Sequence, residues 1–128
     1  MRQARASGTR VLIVEDRQEL GALWQRHLDR QGCVTRLVAG QTAAVDALLE
    51  MEFDVIVLDL ILEEGSALAV SDFASYRQPE ARVIFVTNSN FFSDGSIFAH
   101  SQNARALLPA DGPVADLAAV VEHYGLAG

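Results

Sequence analysis

The sequence predicts a doubly wound α/β fold, a five-stranded parallel sheet with helices on both faces. Four short apolar runs recur along the 128 residues, at 11–14, 33–38, 55–58 and 83–86, and a weaker fifth run lies at 105–108. Three of the four are apolar on both faces, as strands are when helices cover each side of a sheet. Helical patterns fill the intervals. A strand–helix unit repeated five times implies parallel strands joined by right-handed crossovers.

Each element has its own warrant. The opening "MRQARASGTR" contains arginines and no acid, and no apolar segment follows it before the first strand. Residues 1–9 therefore read as a flexible, solvated tail rather than a secretory signal. After the first strand, Leu20, Leu23, Trp24 and Leu28 fall at helical spacing, and Gly32 is the expected stop. The second strand opens on the single cysteine, Cys33, which reads as a buried strand thiol in a reducing cytoplasm. Residues 42–51 are rich in helix formers. After the third strand, the segment 66–76 starts at a capping serine, Ser66, and is expected to turn Leu68 and Phe73 towards the core. Residues 93–103 predict a short, poorer helix after the fourth strand, and the fifth strand reads as an edge. The last helix has Asp111 as its expected cap, Pro113 in its first turn, and Val114, Leu117, Val121 and Tyr124 on one face. Nothing resembles a repeat or an interdomain linker, so residues 10–125 are expected to form one domain with a core of its own.

Composition narrows the function classes. The net charge is −7, and all ten basic residues are arginines; the chain has no lysine. No basic stripe suggests nucleic acid, and no apolar run is long enough to cross a bilayer. The acidic balance suits a cation-requiring site or a basic partner surface, and equally a merely soluble exterior. His27, His100 and His123 are scattered on helix faces without metal-ligand spacing. The "NFF" at 90–92 reads as loop packing before it reads as a partner patch.

The informative residues stand just past the strands. Glu15 and Asp16 follow the first, Asp59 the third and Thr87 the fourth. If the strand order is 2-1-3-4-5, these three strands are neighbours and the four side chains crowd one edge, where doubly wound sheets carry their sites. Two carboxylates about 5 Å apart repel by roughly 3 kcal/mol at an effective dielectric near 20. Three together either protonate one member or recruit a cation. Mg²⁺ takes oxygen ligands, commonly one or two carboxylates plus phosphate oxygens. Bland roles compete: Asp16 with Glu19 also spells a capping box, Glu15 could be a surface acid, and Thr87 could cap a turn. Asp59 has the weakest bland role, because a carboxylate in "FDVIVLDLIL" needs a partner to be buried. It is expected to be half buried and paired.

On "VLIVEDRQEL", "VIVLDLILEEGSAL" and "VIFVTN" the chain resembles the receiver domain of bacterial two-component response regulators, a flavodoxin-like, three-layer fold of the chemotaxis-regulator type. The resemblance implies that Asp59 accepts a phosphoryl group from a histidine-kinase phosphohistidine. It implies that Asp16, Glu15, Asp59 and the backbone carbonyl of Ile61 hold Mg²⁺, or Mn²⁺ in its place, and that Thr87 meets the phosphoryl oxygens. It also implies a sensor kinase or phosphotransfer protein as one partner. A downstream protein would dock on the face made by the fourth helix, fifth strand and fifth helix, with a homodimer left open.

The pattern breaks in three places. Leu108 stands where receivers carry a lysine before the proline, here Pro109. Arg105 replaces the usual switch aromatic, and Glu63 the proline usual after the acceptor. Arg17 or Arg105 is the candidate to supply the missing positive charge. Two functions follow: a stand-alone phosphoacceptor receiver, with no effector domain expected after residue 128, or a receiver-shaped adaptor that works without phosphorylation. Enzymatic readings fit less well. No glycine-rich turn follows the first strand for a dinucleotide, and a haloacid-dehalogenase-type phosphatase needs an acid where Ile61 stands. The protein is thus expected to be a signalling domain rather than an enzyme, with at most slow self-phosphorylation and dephosphorylation.

Overall fold

Alternating side chains of the central strands divide the interior into two cores, one on each face of the sheet. The computed structural model describes residues 8–87 and 102–126. Along the chain lie β1 (Arg10–Val14), α1 (Gln18–Arg30), β2 (Val34–Val38), α2 (Gln41–Glu50) and β3 (Val55–Asp59). They are followed by α3 (Ala67–Arg77), β4 (Arg82–Thr87), β5 (Ala104–Pro109) and α4 (Val114–Leu126). The strands pair in parallel in the order β2-β1-β3-β4-β5, as the expected doubly wound topology requires. Leu12, Val14, Ile56, Leu58, Val83 and Phe85 point to the face covered by α2 and α3. Val11, Ile13, Val55, Val57, Ile84 and Val86 point to the other, where Trp24 and Leu28 of α1 meet Leu117 and Val121 of α4.

The uniformly apolar strands are the central ones. β1, β3 and β4 are buried almost throughout, whereas β2 and β5 are only partly covered. Both outer strands are therefore edges. Cys33 lies just before β2, buried and unpaired; burial, then the negative charges of Asp29 and Glu122, raises its pKa. It is an inert core thiol, as its apolar setting suggests.

Several local expectations change in the folded chain. Gly32 ends the first helical segment in a left-handed conformation (φ 92°), but Leu23 of the α1 stripe is exposed. Ser66 does cap α3, accepting from the Ala69 N–H at 3.3 Å. Leu68 turns outward instead of inward, and Ala67, Val70, Ser71 and Ala74 make the buried face. Ala67, Val70 and Ala74 pack into the core shared with α2, and Leu68 lies off that face. α4 begins one residue after Pro113, and Asp111 is exposed. At the amino end, Gly8 N–H donates to Gly32 O at 2.7 Å and Thr9 is buried. Residues 1–7, the "NFF" stretch, His100 and all but the end of the predicted 93–103 helix lie outside the described residues. Among the described residues, no helix is long and apolar enough to cross a membrane.

Candidate functional site

The register of the sheet brings the predicted acids to one edge. Val14 pairs with Leu58, so Glu15 and Asp59 are the next residues on adjacent chains. Asp59 pairs with Val86, and Thr87 follows at once. Carboxylate oxygens of Glu15, Asp16 and Asp59 all lie within 4.8 Å of one another. The cleft over them is lined by Asp16, Arg17, Asp59, Ile61, Leu62 and Glu63.

Burial is deeper than expected. Asp59 is 3 % exposed and Glu15 2 %, while Asp16 is only partly covered. Asp59 is thus buried rather than half buried, because apolar strands flank it on both sides. Its charge is compensated at short range: Ile61 N–H donates to Oδ1 at 2.9 Å, and Arg17 Nη2 donates to Oδ2 at 3.4 Å. Arg17 also gives Glu15 Oε2 its main-chain N–H at 3.0 Å and its Nε–H at 3.3 Å. Among the described residues, Glu15 Oε1 has no hydrogen-bond partner. Burial, followed by the adjacent Asp59 carboxylate, pushes the pKa of Glu15 up to about 7. The Arg17 guanidinium offsets only part of the charge of three adjacent carboxylates, which favours a shared proton or a further cation. An all-oxygen set of three carboxylates, one with an orphaned buried oxygen, fits a hard divalent ion.

Asp16 does not cap α1. The N-cap residue is Arg17, with no side-chain cap bond, and Asp16 Oδ2 instead accepts the Glu63 N–H at 2.7 Å. The carboxylate is drawn across the cleft to the loop after β3, away from its own helix. That loop has a second tether that sequence reasoning missed. The Glu64 carboxylate accepts Thr42 N–H and Thr42 Oγ1–H, each at 3.0 Å, and Glu64 O accepts Gln41 N–H at 3.1 Å. No signal in the sequence links residues so far apart before the sheet order is known.

The replaced positions also have definite places. Leu108 pairs with Val86 and packs into the apolar core shared by Trp24 and Leu117. Arg105 sits at the register irregularity opposite Val83 and Ile84, short of the carboxyl edge. Its Nη1 donates back to Gln102 O and Ala104 O, both at 3.1 Å. Of the two candidate arginines, Arg17 is the one in contact with Asp59.

Comparison with known proteins agrees with this architecture. A response regulator from Burkholderia pseudomallei, solved with a phosphorylated aspartic acid, calcium and citrate, superposes with a TM-score of 0.79 at 20% identity, covering 91% of this chain and 68% of that one. One from Thermotoga maritima, in complex with Mg²⁺ and BeF, gives 0.79 at 16%, covering 91% and 98%. The receiver domain of a sensor histidine kinase from Pseudomonas aeruginosa, with magnesium in its active-site cleft, gives 0.80 at 18%, covering 93% and 98%. At these identities the likeness speaks for the fold. No curated protein sequence matches the chain. The family described as response regulator receiver domain matches residues 11–108, a span that includes every acid of the cluster, and the chain belongs to that family.

Proposed function

We propose that the chain is a phosphoacceptor receiver of a two-component phosphorelay, acting in the cytoplasm, with residues 10–125 as its working unit. Asp59 takes a phosphoryl group from the phosphohistidine of a sensor kinase or phosphotransfer protein, and the output is a changed affinity for a protein partner. The observation that carries this reading is the buried carboxylate of Asp59 within 4.8 Å of Glu15 and Asp16 at the carboxyl edge of the sheet.

In this reading an Asp59 oxygen attacks phosphorus in line. The new O–P bond forms as the N–P bond breaks, and the electron pair stays on the imidazole nitrogen. The Ile61 N–H holds one Asp59 oxygen, and Asp59 lines the cleft through which a phosphoryl group would approach. Asp16, Glu15, Asp59 and the Ile61 carbonyl would hold Mg²⁺ or Mn²⁺, which when bound neutralises the acids and the incoming phosphoryl oxygens. The relatives solved with calcium or magnesium support a divalent ion. Thr87, next to Asp59 across the strand pair, is assigned to the phosphoryl oxygens by the family pattern and its position.

A second reading has one observation in its favour. Leu108 is partly buried and packs against the apolar core, so the lysine that couples phosphorylation to movement is replaced by a packing residue. That suits a receiver-like adaptor that docks through its fifth strand and last helix without being phosphorylated. Intact-mass measurement after incubation with a small acyl phosphate and Mg²⁺ separates the two. Gain of one phosphoryl group, lost in Asp59→Asn, is the expected result. An unmodified chain under forcing conditions removes the phosphoacceptor reading and leaves the adaptor.

A further inference from the structure

The chain has no lysine, yet its acceptor carboxylate already has a cation on it. Arg17 spans the two buried acids, with Nε on Glu15 Oε2 and Nη2 on Asp59 Oδ2. These contacts, at 3.3 and 3.4 Å, are long for charge-assisted bonds. The Arg17 side chain is 47 % exposed, against 0 % and 5 % for its partners. Its main chain is fixed, because its N–H is bonded to Glu15 Oε2 and its carbonyl accepts Gly21 N–H at 2.9 Å in the first turn of α1. The result is a guanidinium on an anchored base, loosely held, lining the same cleft as Asp59. Among the described residues its Nη1 donates no bond, so part of the fork is uncommitted.

Two cations cannot share these oxygens without repulsion. A divalent ion held by Glu15 and Asp59 would compete with the guanidinium, whose planar fork matches phosphoryl oxygens in a way that a leucine cannot. We propose that Arg17 is the counter-charge of this receiver: it rests on Glu15 and Asp59 in the cation-free protein, and moves onto the anionic group bound at Asp59, doing from the start of α1 what Leu108 cannot do from β5. This rests on the phosphoacceptor reading and deepens it. Arg105 lies at the start of β5, away from the carboxyl edge, and bonds back to Gln102 O and Ala104 O, so it does not fill the role.

The test is calorimetric titration of the full chain with Mg²⁺ alone, and with trifluoroberyllate in saturating Mg²⁺, for wild type, Arg17→Gln and Arg17→Lys. R17Q is expected to bind trifluoroberyllate about tenfold more weakly, the size of one charge-assisted contact. It is expected to bind Mg²⁺ alone as tightly as wild type or more tightly, since the resident cation is gone. R17K, which keeps the charge, should recover most of the trifluoroberyllate affinity. Equal trifluoroberyllate binding by R17Q and wild type overturns the inference, and so does R17K no better than R17Q. Parallel loss of both ligands in R17Q also overturns it, because Arg17 would then only be holding the acids in place. A wild type that binds no trifluoroberyllate overturns the phosphoacceptor reading itself, and a shortfall confined to the variants never does.

Discussion

The carboxyl group of Glu15 is buried beside Asp59, and burial, followed by that neighbouring carboxylate, raises its pKa from 4.5 to about 7. Between those two values the folded cation-free chain holds a proton that the unfolded chain releases. The stabilising contribution is therefore complete below about pH 4.5 and is lost as pH rises through about 7. In a chelating buffer the free energy of unfolding should fall by up to roughly 3 kcal/mol across that window. Glu15→Gln keeps the size and cannot ionise, so urea titrations of the variant at pH 5 and pH 7.5 should show most of this fall removed. An unchanged slope in the variant would place the titration elsewhere. Asp59 was legible in the sequence because it closes an apolar run, where a carboxylate has few structural uses. Glu15 and Asp16 had bland roles of their own and became site candidates only through the strand order and the family pattern. The depth of Asp59 was not legible. Flanking strands determine it, and they exclude water from both sides of β3.

At the scale of elements, the loop from Asp59 to Ser66 decides how the site is held. It is tied to the β1 end by the bond from Glu63 N–H to Asp16, and to the start of α2 by Glu64 on Thr42 and by Ser66 N–H on Gln41 Oε1 at 2.8 Å. Gly65 lets the chain turn between those tethers. Its φ of 86° is left-handed, and a Cβ there would run into the Gln41 side chain. Gly65→Ala should therefore cost about 1–3 kcal/mol of stability from strain and displacement of Gln41. It should also weaken Mg²⁺ binding, since Asp16 is positioned through the same loop. Chemical denaturation with parallel metal titration checks both effects, and a variant as stable as wild type would mean that the loop has slack. The four described helices were legible from spacing, capping and composition, whereas their ends were less so. "DRQE" spells a capping box, but tertiary structure offered Asp16 a better donor, the Glu63 N–H. Likewise Leu68 was expected on the core face, but Ala67, Val70, Ser71 and Ala74 make the buried face of α3 and Leu68 is exposed.

At the scale of the molecule, the strand order makes one edge of the sheet acidic in a chain that is already at −7. The division into three central and two edge strands was legible because runs apolar on both faces belong inside a sheet. The order β2-β1-β3-β4-β5 was expected from the receiver resemblance rather than from the pattern of the runs. The consequence is thermodynamic. Every strand contributing an acid is central and shares both cores, so repulsion at the edge is borne by the whole cooperative unit. A divalent ion that binds only the folded cluster stabilises the whole domain by mass action, about 2.7 kcal/mol at a hundredfold excess over Kd. For a domain of this size that corresponds to a rise of roughly 10 °C in Tm. Thermal melts at pH 7.5 with Mg²⁺, compared with chelator at matched ionic strength, should show this rise. Asp16→Asn should lose much of it, because it removes the carboxylate that is least buried and hence cheapest to re-solvate when empty. Ionic screening alone would raise Tm equally with Na⁺ and equally in the variant. That result would reduce the cluster to surface charge, whereas a rise specific to Mg²⁺ and dependent on Asp16 requires the acids to act together as one cation site.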